Sequence, residues 1–202
     1  MLYSELESKS LAELLDAFRG PPPDGEAYRA SFFDDVAHRI AELGGIEELK
    51  TAMDTNDDDR LAAVVSAFSA PKADSVPRSE RETLFRRFLT HPNPSVVAAA
   101  IDGLVVLDDH QAKATVLNLL RIGPSIVRAR ALIYLRSTSG QEAIPLLLAA
   151  LNDPHPTIRL AAVDELDNLD EFNDRATFER MLNDADDYVR DHARYIVEHH
   201  FA

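Results

Sequence analysis

Apolar residues recur along this chain with two superimposed periods. The shorter is that of an amphipathic helix. From Pro156, the spacing i, i+3, i+4, i+7, i+8 is occupied by Ile158, Ala161, Ala162, Glu165 and Leu166. The longer period is 31 residues. Val96, Val127, Ile158 and Val189 follow it, as do Leu104, Leu135, Leu166 and Val197. Leu89, Leu120, Leu151 and Leu182 repeat at the same step, and so do Phe85, Val116, Leu147 and Phe178. Independent columns at one period identify an internal repeat. A fifth copy lies upstream, where Arg60-Leu61-Ala62-Ala63-Val64 has the same five residues as Arg159-Leu160-Ala161-Ala162-Val163. Its first half, from Gly44, resembles the segment from Gly140. A polar, Pro-containing insertion, 71–78, lengthens the step to the next copy.

Each copy reads as two helices of about 10–14 residues joined by a tight turn. His91-Pro92-Asn93-Pro94 and Asp153-Pro154-His155-Pro156 cannot continue a helix, because proline lacks the N–H and restricts the residue before it. Pro94, Pro124 and Pro156 then stand where a helix start tolerates proline. Asp57-Asp58-Asp59 reads as a capped helix start that favours anions. Small residues such as Ala99, Ala100, Gly103 and Ala131 permit close helix approach. One such pair cannot bury its apolar face alone, whereas stacked pairs bury a continuous core. The expected fold is therefore all-α. It is an α-solenoid (α/α superhelix) of about five helix pairs, approximately 44–70, 78–107, 110–138, 141–170 and 174–202. Residues 1–43 read as an N-terminal helical cap or degenerate repeat. They comprise a short helix over Ser10–Arg19, a Gly20-Pro21-Pro22-Pro23 break and a longer helix from Gly25 to Leu43.

A further spacing is carried by charge. An Asp is followed six residues later by an Arg at Asp54/Arg60, Asp153/Arg159 and Asp184/Arg190, and Pro145 falls in the first helix of its copy. On these residues the array over 44–202 resembles the HEAT-repeat family, near its bacterial branch of lyase-type HEAT-like repeats. The resemblance implies a structural ladder between stacked repeats, formed by Asp54, Arg60, Arg128, Asp153, Arg159, Asp184 and Arg190. It also implies an interruption, because Ile122 stands where the Asp of the Arg128 copy should be. The preceding copy has His91 and Val97 at the two positions.

Composition excludes several chemistries. The 202 residues contain no Cys, so disulfides, thiolate zinc sites, iron–sulfur clusters and thiol nucleophiles are out of reach. The start has no basic region followed by an apolar run, and no stretch approaches the roughly 18 apolar residues of a spanning helix. The expected setting is cytoplasmic. The formal net charge of −14 opposes a phosphate backbone, so nucleic acid is not the expected partner. No phosphate loop or nucleophile elbow is present. Some HEAT-like enzymes bind iron through His-Glu dipeptides, and this sequence has none. No catalytic residue, cofactor or metal is expected.

Charge is also unevenly distributed, at −9 over 1–60, +3 over 61–150 and −8 over 151–202. Arg81, Arg86, Arg87, Arg121, Arg128, Arg130 and Arg136 make most of the basic middle. These arginines read first as intramolecular pairs, and second as a patch for an anionic partner surface. In a HEAT-type array the second helices line the concave face. The residues expected there for protein binding are Asp102, Arg130, Ile133, Arg136, Asp164, Asp167 and Tyr195. The expected function is a non-catalytic protein–protein interaction scaffold or adaptor, a monomer or weak oligomer away from membranes. The resemblance also implies an alternative, because bilin lyases of phycobilisome-containing bacteria carry similar repeats. That role would be a lyase-like enzyme or chromophore chaperone.

Overall fold

A computed structural model describes residues 3–23, 25 and 28–201. Among these residues there is helix and turn but no strand. The chain divides into two compact units, Met1–Asp109 and His110–Ala202. The first contains α1 (Leu11–Arg19), α2 (Arg29–Glu42), α3 (Ile46–Thr51), α4 (Asp58–Ala67), α5 (Arg78–Phe88) and α6 (Pro94–Val106). The second contains α7 (Lys113–Ile122), α8 (Ser125–Ser139), α9 (Ile144–Ala150), α10 (Pro156–Asp167), α11 (Arg175–Met181) and α12 (Asp187–His199). Short 3-10 turns cover Ser4–Ser8, Pro71–Ser75 and Gly140–Ala143.

Each unit is a stack of helix pairs of the α-solenoid class. In the first, α2, α4 and α6 pack in succession, with α1 against α2 and α5 against α6. In the second, α8, α10 and α12 do the same, flanked by α7, α9 and α11. The helices α1 and α2 thus form the first helix pair of the first unit. The longer helix read from Gly25 starts at Arg29, and residues 26–27 lie outside the described residues.

Two of the 31-residue columns lie wholly in the core, whereas Leu120, Leu182 and Val197 of the other two are half-buried. Val96, Val127, Ile158 and Val189 are each no more than 1% exposed, as are Phe85, Val116, Leu147 and Phe178. Burying each such side chain stabilises the fold by about 1.5–3 kcal/mol. Three of the first helices are shorter than the sequence pattern predicts, since α3, α9 and α11 span 6, 7 and 7 residues, whereas α5 and α7 span 11 and 10. In α9 the reason is visible, because Pro145 sits in its first turn behind the 3-10 segment Gly140–Ala143.

Two glycines are fixed by geometry. Gly44, at φ +85°, closes α2 together with the Gly45 amide, which donates to the Ile40 carbonyl at 2.9 Å. Gly103 lets α6 approach α5, since a Cβ there would lie 2.3–2.6 Å from the Phe85 ring. The 71–78 insertion is folded onto its unit. Ala73 and Val76 are buried, and Arg81 donates to Asp74 Oδ1 at 2.6 Å and to the Phe68 carbonyl at 3.4 Å. Arg81, placed by the sequence in a basic band, is itself buried at 6% exposure and anchors this insertion.

Gly103→Ala is expected to destabilise the chain by about 1–3 kcal/mol, the usual cost of overpacking. Phe85→Leu should restore part of that loss. Urea denaturation of the two single variants and the double variant checks it. Additive losses would show that the contact is not the cause.

Candidate interaction surface

The surface of the second unit rests on charge pairs that link successive repeats. Arg128 binds Asp153, and Arg159 binds Asp184 through two parallel bonds of 2.7 Å each. Each arginine reaches a carboxylate 25 residues ahead, at the turn of the next repeat. The same guanidiniums also hold a nearby turn. Arg159 donates to the carbonyls of Asp153 and Pro154, Arg128 to that of Leu120 and Arg190 to that of Asp184. The carboxylates in turn accept backbone amides, Asp153 from His155 and Asp184 from Asp186, both at 2.9 Å.

Titration follows from these contacts. The Arg159 guanidinium holds the Asp184 carboxyl below its ordinary value, against the opposing effect of burial. For Asp153, burial alone would raise the value. The His155 amide and Arg128 outweigh it, and the net direction is down.

The ladder does not extend to Asp54 and Arg60 in the expected form. Arg60 donates to the carbonyls of Arg19 and Gly20, stacks on the Phe33 ring at 4.5 Å and faces Asp57 at 3.2 Å. Position 85, which is 25 residues ahead of Arg60, is Phe rather than Asp. Asp57 caps α4 and also binds Arg29. Asp54 is exposed at the rim of a groove of about 240 Å³ between α1 and α3.

The second helices α8, α10 and α12 carry the residues expected to bind a partner. Asp164 and Tyr195 are exposed, and Arg130, Ile133, Arg136 and Asp167 are half-buried. Asp102 lies on α6 of the first unit, half-buried. Arg136 is not a loose cation. Its Nε donates to Glu165 at 2.6 Å, and Glu165 is 3% exposed between α8 and α10. Burial raises the Glu165 carboxyl above its ordinary value, and Arg136 only partly opposes this. The α10–α12 seam carries two further pairs, His192 Nε2 to Asp164 at 3.2 Å and His200 Nδ1 to Asp167 at 2.7 Å. Tyr195 stacks on His199 with ring centres 4.3 Å apart.

Several of these roles were missed from sequence. Glu165 carried a signal: a carboxylate in a helix's apolar stripe, 29 residues from Arg136. The partners of His192 and His200 carried none, since they depend on how α12 seats on α10. The basic middle resolves mostly into internal pairs. Arg86 binds Asp109, whose side chain is 1% exposed, and Arg81, Arg128 and Arg136 are paired as above. Arg87 and Arg121 are exposed.

A family model for HEAT repeats matches residues 116–197, entirely within the second unit. Residues 116–197 are thus similar to HEAT repeats. Two solved structures are similar in fold over nearly the whole chain. An engineered protein solved by a structural genomics consortium is 16% identical with a TM-score of 0.56, covering 96% of this chain and 92% of its own. A designed armadillo repeat protein is 13% identical with a TM-score of 0.54, covering 94% and 99%. No curated protein matches the sequence. Among the described residues no group of three or more His, Asp or Glu side chains is arranged to hold a metal ion. No described helix is long and apolar enough to cross a membrane.

Asp184→Asn is expected to lower stability by about 3 kcal/mol near neutral pH, because Arg159 loses its buried partner. The lowered carboxyls of Asp153 and Asp184 contribute stability that is complete above the ordinary Asp value, near 4. That contribution is lost as pH falls through their folded values. Glu165 acts in the opposite sense: its contribution is present below the ordinary Glu value and lost as pH rises through its raised one. Urea denaturation between about pH 7 and pH 2.5 should show the gap between wild type and Asp184→Asn closing on acidification. A constant gap would remove the ion pair as its cause.

Proposed function

We propose that this chain is a non-catalytic scaffold or adaptor that binds a protein partner through its second-helix surface. The observation that carries the reading is the contrast on that surface. Arg136 is paired with Glu165, Asp167 with His200 and Asp164 with His192, yet Asp164 and Tyr195 stay exposed on α10 and α12. Internal pairing holds the backbone of the surface still, so binding need not order it, and a preformed surface lowers the ordering cost. Exposed Tyr beside carboxylates suits an interface anchor with a polar rim. The HEAT repeats support the reading, since stacked pairs present extended surfaces of this kind. The absence of Cys suits a reducing cytoplasmic setting.

Arg136, paired with the buried Glu165, belongs to the support of this surface. Arg130, Ile133, Asp164 and Tyr195 belong to its contact layer. Affinity capture from native lysate at physiological salt is expected to retain one protein near stoichiometry. A variant carrying Arg130→Ala, Asp164→Ala and Tyr195→Ala, folded by circular dichroism, should lose it. Retention of the same partner by the variant would overturn the assignment of the surface.

A further inference from the structure

The second-helix surface carries a feature that the repeat pattern does not explain. Tyr188 and Tyr195 are 77% and 53% exposed, among the most exposed large apolar side chains of the described residues. They lie seven residues apart on α12, so both project from one face, about 10 Å apart along the axis. His192 and His199 fall between and beyond them at i+4 and i+11, completing an aromatic stripe. The core face of α12 is a different one, made by Val189, Ala193 and Ile196.

The bond from His192 to Asp164 fixes which neighbour the stripe borders. That neighbour is α10, whose Asp164 side chain is still 52% exposed. The local charge is one-sided. Residues 151–202 hold 13 acidic and 5 basic side chains. Four of those five bases are engaged within the unit: Arg159 with Asp184, Arg175 with Glu179, Arg190 with Asp187 and Arg194 with Asp191. The open side of the stripe is therefore the Tyr188 ring and the face of Tyr195 turned away from His199, beside a carboxylate rim.

Resting on the scaffold reading above, we propose that the α10–α12 face is a docking track for a basic, Arg- or Lys-bearing segment of a partner protein. The tyrosine rings accept the cationic groups and their aliphatic stems through cation–π and apolar contact. Asp164 accepts hydrogen bonds from a guanidinium or ammonium. The two rings, about 10 Å apart along the axis, fall between the i/i+2 (about 7 Å) and i/i+4 (about 13 Å) steps of an extended segment, a gap that long Arg or Lys stems can span. Acidic segments are repelled by the same field.

The test uses the full chain and a fluorescently labelled nine-residue peptide of alternating Arg and Ala, followed by anisotropy at physiological salt. A peptide of alternating Glu and Ala is the sequence control. Asp16→Asn, on α1 of the first unit with its side chain 83% exposed, is the charge-matched control. The Arg peptide should bind and the Glu peptide should not. Tyr188→Ala combined with Tyr195→Ala, and separately Asp164→Asn, should each weaken binding at least fivefold, with Asp16→Asn within twofold of wild type. No binding of the Arg peptide, equal binding of the Glu peptide, or equal losses for Asp164→Asn and Asp16→Asn would each overturn the proposal. An unbound Arg peptide beside a captured, surface-dependent protein partner overturns only the basic-segment assignment. Loss of the surface dependence in the capture experiment overturns the scaffold surface itself.

Discussion

A helix pair that must stack on another pair needs a rule for where the next one sits, and apolar burial is too non-directional to supply it. In the second unit the rule comes from one guanidinium that serves two repeats. Arg159 donates to turn carbonyls at Asp153 and Pro154 with one nitrogen and to both oxygens of Asp184 with two others. The planar fork makes this possible, because its donors diverge in a fixed geometry. A lysine, with a single charged nitrogen on a flexible stem, could not set the angle between one turn and the next. The side chains concerned are mostly buried, 13% exposed for Arg159 and 6% for Asp184. Solvent therefore screens the pair far less than a surface bridge.

The first unit solves the same problem without that rung. Phe85 stands 25 residues after Arg60, so Arg60 turns back to the carbonyls that end α1. Stacking is held instead by Arg29, which reaches Asp57 and Asp59 at the start of α4, and by Asn93, which donates to Asp58 at 2.9 Å. The acidic run before α4 thus does more than favour a helix start. It caps the helix and binds the preceding and following pairs. Where the repeat spacing is broken by 71–78, Arg81 and Asp74 fasten the extra turn, so the irregularity stays local.

Much of this architecture was legible because burial imposes periodicity on sequence. The column of Val96, Val127, Ile158 and Val189 could be read at sight, and so could the step from Asp to Arg within a copy. What could not be read is which Asp a given Arg meets. Spacing within one copy pairs Asp153 with Arg159, whereas the carboxylate bound by Arg159 is that of Asp184, one repeat later. The motif records the residues of a rung without its partners, since partners lie across a stacking contact that sequence does not index. Arg136 illustrates the same limit on the candidate surface. Its column position marked it as facing out, yet Glu165, in a core slot, draws it half under cover.

That redistribution of arginines shapes the outer surface as well as the stack. A repeat that buries its cations against turn carboxylates leaves surface acids to histidines, as Asp164 pairs with His192 and Asp167 with His200. The acidic character of the α10–α12 face is therefore coupled to the stacking chemistry. Strengthening the ladder with further Arg would add charge in the interior without neutralising Asp164 outside. A chain under pressure only to stack would have reason to balance that surface, because uncompensated like charge disfavours the compact state. It would also have reason to replace Tyr188, which is 77% exposed and contributes little to burial. Asp164 serves the α10–α12 seam through His192 while staying half-exposed, but the stack has no use for the Tyr188 ring, and a bare ring near a carboxylate rim is what a cationic partner of the proposed kind would contact.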